Sequence, residues 1–179
     1  MSKEFKISNK VIKESTKPYI IAEACINHEG KINLAKKMVD KAVEAGVSAV
    51  KFQFHVLEDE MLKSTPKSSN FSESLYDTLK RTNLSIKEHK YLKKYCENKR
   101  IDYLCTPFSF KSADILEKEI NLKIFKVGSG ELTNIPLQIH IAKKKFPTII
   151  STGMSTFKEV RHTLNTVRKI NKNIALTQC

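Results

Sequence analysis

A regular alternation of short, β-branched apolar runs with helical segments constrains this chain more than any other feature. Strands read at residues 19–24, 49–53, 102–106, 124–127, 148–151 and 174–178, the last four starting at 102, 124, 148 and 174. Between them the apolar period switches from two to that of a helix. Leu34, Met38, Ala42 and Ala45 make one helical face, with Asn33 as its expected N-cap and Gly46 as its stop. Ser85 and Glu88 form a capping box ahead of Leu92, Tyr95, Cys96 and the stem of Lys99. Thr156 and Glu159 do the same ahead of Val160, Leu164, Val167 and Ile170. Strands separated by helices pair in parallel, because the helix carries the chain back to the same sheet end. Ahead of the alternation, two apolar runs flank Ser8-Asn9-Lys10 and predict a small hairpin. The second strand spacing is stretched by residues 57–83, rich in Ser, Lys and Asn. That stretch reads equally as a disordered excursion or as a loop over an active site.

Two architectures carry such an alternation, a doubly wound open sheet and a (β/α)8 TIM-type barrel. A dinucleotide-binding open sheet needs a glycine-rich turn after its first strand, and here residues 23–30 hold one glycine, Gly30. Gly128-Ser129-Gly130 follows the fourth strand and lacks a third glycine. A barrel instead delivers chemistry at the C-terminal end of every strand, and this sequence does so. Residues two apart share a strand face. Ile21 pairs with Glu23, Lys51 with Gln53, Leu104 with Thr106, Lys126 with Gly128, and Ile149 with Ser151. Phe52, Phe54, Phe125 and Val127 take the opposite, helix-covered side. The expectation is a barrel truncated after about six strands, residues 19–179, capped by an N-terminal hairpin over 1–18.

A lone lysine inside a sheet is costly unless paired or bound to an anion. Lys51 and Lys126 with Thr106 and Ser151 nearby therefore predict a cationic pocket for a small multivalent anion, such as a phosphate ester bearing a carboxylate. Blander readings stand beside this one. Glu23 fits a structural ion pair with either lysine, and Ser129, Gly130 and Glu131 fit a turn leading into a helix N-terminus. His55, His89, His140 and His162 show no ligand spacing and read as surface residues. His28, in the first strand–helix loop, reads as functional or as a structural hydrogen-bonding residue.

Composition excludes several classes. The formal charge is +13, but only Arg81, Arg100, Arg161 and Arg168 interrupt the lysines among 32 basic residues. Nucleic-acid readers favour the bidentate Arg fork, so the charge reads as a bystander and no nucleic-acid partner is expected. Cys25, Cys96, Cys105 and Cys179 form neither a zinc-ligand spacing nor a disulfide framework. No apolar run approaches the roughly 18 residues of a membrane span, and the first ten residues lack the apolar stretch of a signal peptide. A cytoplasmic protein with no membrane partner is expected.

Five stretches, in order, resemble one family. They are Ile-Ile-Ala-Glu-Ala-Cys-Ile-Asn-His-Glu-Gly over 20–30, Ala-Val-Lys-Phe-Gln over 49–53, and Cys-Thr-Pro-Phe over 105–108. Phe-Lys-Val-Gly-Ser-Gly-Glu over 125–131, continued by Thr-Asn-Ile-Pro over 133–136, and Ser-Thr-Gly-Met over 151–154 complete the set. They are similar to the sialic acid synthases, meaning N-acetylneuraminate synthase and its legionaminate, pseudaminate and spore-coat relatives. The likeness runs from about residue 5 to 179. It implies an enzyme that condenses phosphoenolpyruvate with an N-acylated amino sugar such as N-acetylmannosamine, releasing phosphate. It further implies a divalent metal, Mn or Mg, that activates the sugar aldehyde, and a homodimer of the complete protein. Position by position, Lys51, Thr106, Lys126, Ser129 and Ser151 match phosphoenolpyruvate-binding residues, and Gln53 and Glu131 match sugar contacts. Glu23 matches the glutamate near the reacting carbons, so Glu23, Lys51 and Lys126 are the catalytic candidates.

The chain departs from the family in three respects. Cys25 stands where the family usually has glycine, which predicts a rearranged first loop if that position needs positive φ. Phe54 stands where Thr or Ser is common. A (β/α)8 barrel takes roughly 250 residues, so the metal ligands and a C-terminal antifreeze-like domain are expected beyond residue 179, with no metal ligand inside it. Two rival readings remain: another phosphoenolpyruvate-dependent aldose condensation on the same fold, and a non-catalytic binding subunit.

Overall fold

The computed structural model describes residues 4–67, 69–70 and 72–179. A hairpin opens the chain, β1 (Phe5–Ile7) antiparallel to β2 (Lys10–Ile12), with Phe5 opposite Ile12. Six further strands follow: β3 (Ile21–Cys25), β4 (Ala49–Phe54), β5 (Asp102–Pro107), β6 (Phe125–Val127), β7 (Thr148–Ser151) and β8 (Ile174–Thr177). The helices between them are α1 (Ile32–Glu44), α2 (Leu57–Glu60), α3 (Leu75–Thr82), α4 (Ile86–Asn98), α5 (Phe110–Lys118), α6 (Ile135–Lys143) and α7 (Phe157–Arg168). Strands β3, β4 and β5 form one parallel sheet in that order, and β6, β7 and β8 a second. The fold is α/β, with parallel sheets that do not close.

Strand parity sorts the side chains into two cores. Val50, Phe52, Phe54, Tyr103, Cys105, Phe125, Val127 and Ile150 face the helices, where they meet Ala35, Val39, Leu92, Leu116, Leu137 and Ile141. Phe52 and Phe125 are fully buried, each contributing roughly 2–3 kcal/mol of hydrophobic free energy. A one-residue slip of either strand would forfeit that and expose the ring, so this face fixes the register. The other faces supply Ala49, Leu104, Ile124 and Ile149, which pack against Phe5 and Ile7 of the hairpin with Ile21 and Ala175 alongside. The hairpin thus covers an apolar floor at the N-terminal ends of the strands.

Two residues beyond each floor position, on the same face, stands a polar group: Glu23 after Ile21, Lys51 after Ala49, Thr106 after Leu104, Lys126 after Ile124, Ser151 after Ile149 and Thr177 after Ala175. The register sets Glu23 opposite Lys51 and Ser151 opposite Thr177, while Thr106 stands one same-face step further along, opposite Gln53, and Lys126 one step short of Ser151, opposite Ile149.

Several local expectations change. Helix α1 begins two residues earlier than Asn33 would set it, with Lys31 at the N-cap and no side-chain cap. The capping boxes at Ser85 and Thr156 both form, and Gly46 ends α1 at a φ of 68°. Residues 57–83, read as disorder or a loop, hold α2 and α3, while residues 68 and 71 of that stretch lie outside the described residues. Helix α3 is capped by Ser74, which accepts from the Asp77 amide, and it buries Tyr76 and Leu79 with Leu57 against Ile26 of the first strand–helix loop. His55 and His89 are buried rather than on the surface, because each lies on the packed face of its element. Among the described residues no helix is long and apolar enough to cross a membrane.

Candidate functional site

The polar tier divides into two linked groups. In the first, the Lys51 ammonium lies 2.8 Å from a Glu23 carboxylate oxygen and donates to Thr106 Oγ1 at 3.2 Å. In the second, Lys126 donates to the Val127 carbonyl at 2.9 Å and to Ser151 Oγ. Ser151 Oγ in turn contacts Thr177 Oγ1 at 3.2 Å, and Thr152 Oγ1 donates to the Thr177 carbonyl at 2.7 Å. Thr177 was not foreseen, although the two-residue rule that found its neighbours applies equally to Ala175 and Thr177.

Both lysines are almost wholly enclosed, at 5% and 6% exposure. Burial pushes the Lys126 ammonium down to about 8, the Lys51 charge adds to the depression, and Glu23 partly opposes it. The pair thus makes a cationic pocket with one carboxylate tied to one of its cations. The Glu131 carboxylate accepts from Asn134 Nδ2 at 2.8 Å, at the start of α6 that Asn134 caps, as the reading of residues 129–131 as a turn into a helix N-terminus expects. Ser129 closes the pocket near the β7 loop, where a Cβ added at Gly153 would meet Ser129 Oγ at 2.9 Å and Cys179 Cβ at 3.1 Å. Glycine at 153 is what lets the β6 and β7 loops approach each other. Hydrogen bonds from Thr177, then from the Thr152 backbone, Ser151 and the Gly153 backbone, hold the Cys179 thiol at about 6.

The first loop carries strain instead of a rearrangement. Cys25 adopts a φ of 50°, in the left-handed region that favours glycine, and the β3–β4 register shifts between Glu23 and Cys25. Its thiol donates to Glu23 at 3.7 Å, and burial raises the thiol pKa, so it stays protonated at neutral pH. His28, beyond it, is buried and accepts from the Gly30 amide through Nδ1 at 3.2 Å. Gln53 faces the pocket from β4 and contacts His55 Nε2 at 3.1 Å.

A divalent metal does not fit these residues. Among those described, no group of three or more His, Cys, Asp or Glu side chains is placed to hold one. Two ammonium groups and several hydroxyls converge in the pocket, with one cation already paired to a carboxylate.

Residues 38–179 match the NeuB family. The chain is 38% identical over 172 residues to N,N'-diacetyllegionaminic acid synthase of Campylobacter jejuni, covering 91% of this chain and 51% of that protein. Among solved structures it superposes on the N-acetylneuraminic acid synthetase of Leptospira borgpetersenii, solved with citrate, at a TM-score of 0.84 and 30% identity, covering 100% of this chain and 60% of that one. The spore coat polysaccharide biosynthesis protein SpsE of Bacillus subtilis gives 0.81 and 30%, covering 98% and 48%. The chain spans about half the length of the curated relatives it matches. With the family match running over most of its length, the chain belongs to the NeuB family.

Proposed function

We propose that the tier at the strand ends binds phosphoenolpyruvate and forms the phosphoenolpyruvate half of a nonulosonic acid synthase built on a (β/α)8 barrel. The observation that carries this is the enclosure of Lys51 and Lys126 among hydroxyls with Glu23 beside Lys51. Two buried cations repel each other, and an anion of high charge removes that cost. Phosphoenolpyruvate offers a phosphate and a carboxylate on one small frame, which two separated ammonium groups can share. Thr106, Ser129 and Ser151 supply hydroxyl donors for its remaining oxygens.

The second substrate is an N-acylated amino sugar in its open-chain form, with Gln53 as its contact. The C2=C3 π pair of phosphoenolpyruvate bonds C3 to the sugar aldehyde carbon, whose C=O π bond opens so that its oxygen takes a proton. Water adds at C2 and loses a proton, and the C2–O bond to phosphate breaks as the C2 hydroxyl gives up its proton to become the ketone. The lysines hold the carboxylate and phosphate oxygens and offset the charge on the leaving phosphate, and Glu23 supplies a carboxylate beside the positive charge that develops at C2. No step is assigned to a metal, since the described residues do not fit one.

Calorimetry with phosphoenolpyruvate, pyruvate and inorganic phosphate tests the reading. Phosphoenolpyruvate should bind at least tenfold tighter than either half. Near pH 8 its binding should also take up protons, because the anion favours the charged form of Lys126. Equal affinity for all three ligands, or binding without proton uptake, overturns it.

A further inference from the structure

A buried side-chain relay lies behind Gln53. His55 stands two residues further along, on the same face. Its Nδ1 is 2.7 Å from Glu60 Oε2 and its Nε2 is 3.1 Å from Gln53 Oε1. The His55 and Glu60 side chains are each 4% exposed. The other Glu60 oxygen accepts from the Val56 amide at 2.6 Å, which fixes the carboxylate on the first turn of α2. Phe108 stacks on the imidazole at 4.4 Å, and Asn83 Nδ2 donates to the His55 carbonyl at 2.9 Å. The ring is therefore clamped on its face, on its backbone and at Nδ1. Its one adaptable neighbour is the Gln53 carboxamide.

A carboxamide has a donor end and an acceptor end of nearly the same shape, and a half-turn exchanges them. As placed, both ring nitrogens face an oxygen: a ring carrying two protons donates to both, and Gln53 then directs its NH2 to the strand-end pocket. A ring with a single proton keeps it on Nδ1, opposite the carboxylate. Nε2 then accepts, Gln53 must turn over to donate to it, and the amide oxygen faces the pocket instead. We propose that His55, held by Glu60, is the positioning residue of Gln53, and that its protonation sets whether Gln53 offers a donor or an acceptor to the sugar. This rests on the reading above that the sugar meets Gln53. A sugar hydroxyl satisfies either state, whereas an acyl carbonyl oxygen is satisfied only by the donor.

The surrounding charges leave the switch to these groups. Glu60 of α2 is the charged group in contact with the ring, and Lys51 of β4 is engaged by Glu23 and Thr106. From α4, the His89 ring is pushed down to about 3, chiefly by burial, so it is neutral near pH 7. Phe108 and Asn83 bring no charge.

The test is 1H–15N NMR of the chain, following the His55 ring nitrogens and the Gln53 side-chain amide through a pH titration. In the wild type the Gln53 amide signals should shift with the same midpoint as the His55 ring. In Glu60→Gln the two midpoints should stay equal to each other wherever they fall. In His55→Phe, which keeps the stacking on Phe108, the Gln53 signals should become independent of pH. Gln53 signals indifferent to the ring in the wild type, or unchanged titration in His55→Phe, overturn the proposal, and the wild-type result decides even if a variant fails to fold. Failure of the phosphoenolpyruvate reading appears separately, as absence of ligand-induced shifts with the Gln53–His55 coupling intact.

Discussion

The Lys51 ammonium and the Glu23 carboxylate lie 2.8 Å apart, the lysine side chain 6% exposed and the glutamate 51%. The asymmetry matters. A half-exposed carboxylate is well screened, so the pair contributes little to stability. It does hold a buried cation in place with a partner that water can readily take back. An arriving anion can then displace Glu23 from Lys51 without leaving a buried carboxylate unpaired.

Among the described residues Lys126 pairs with no carboxylate, and its linkage can be worked out. In the unfolded chain it titrates near 10.5 and in the folded chain at about 8. Below about pH 8 both states carry the charge and the folded state bears the full cost of burying it. Between these values the unfolded chain binds the extra proton, so stability rises with pH, and above both the cost is gone. Lys126→Met should therefore raise the unfolding free energy at pH 7 by about 1–3 kcal/mol, less where the lost bonds to Val127 and Ser151 count against it. The gain should shrink toward pH 10. Urea titrations at both pH values check this, and a variant less stable at pH 7 shows that the lysine is a net stabilising partner.

Much of this was legible in the sequence because parallel strands obey a two-residue period. The pairs from Ile21/Glu23 to Ile149/Ser151 marked the polar tier on one face of the strands, though not the apolar floor that Ala49 and Ile124 complete. What stayed hidden depended on contacts between distant segments. His55 looked like a loop residue because its burial comes from Phe108 and Glu60, which the period of β4 does not report. The bond from Asn134 to Glu131 is a local one, three residues apart at a helix start, which the turn reading of residues 129–131 anticipated only in outline. Helix α3 was missed because its apolar face is short, packing among the described residues on Leu57, Ile26 and Met61.

Cys25 offers a test of backbone strain. Its φ of 50° costs a non-glycine residue about 1–2 kcal/mol. Cys25→Gly should leave stability within about 1 kcal/mol of wild type, relieved strain offsetting lost packing and greater unfolded-state freedom. Cys25→Val, β-branched in the left-handed region, should lose about 2 kcal/mol or more. Equal melting temperatures for the two variants would mean that the first loop bears no strain.

Gly30 joins that loop to α3. A Cβ there would sit 2.6 Å from the Arg81 carbonyl oxygen, at a φ of 72°. Gly30→Ala should cost about 2–4 kcal/mol, strain and overpacking together. Because Ile26 of the same loop packs on α3, hydrogen exchange over residues 75–82 should accelerate in the variant. A loss under about 1 kcal/mol with unchanged exchange shows that the loop and helix move apart freely.

The central claim is that Lys51 and Lys126 together bind phosphoenolpyruvate. The most direct measurement is the affinity of this ligand at pH 7 for wild type, Lys51→Met and Lys126→Met, by calorimetry, with thermal unfolding of each apo protein as the control. Methionine keeps most of the stem's packing and deletes the charge. Each substitution should weaken binding by about 2–4 kcal/mol while the apo fold persists. Variants that unfold without ligand yet bind phosphoenolpyruvate as tightly as wild type would make the lysines structural ion-pair partners and contradict the assignment.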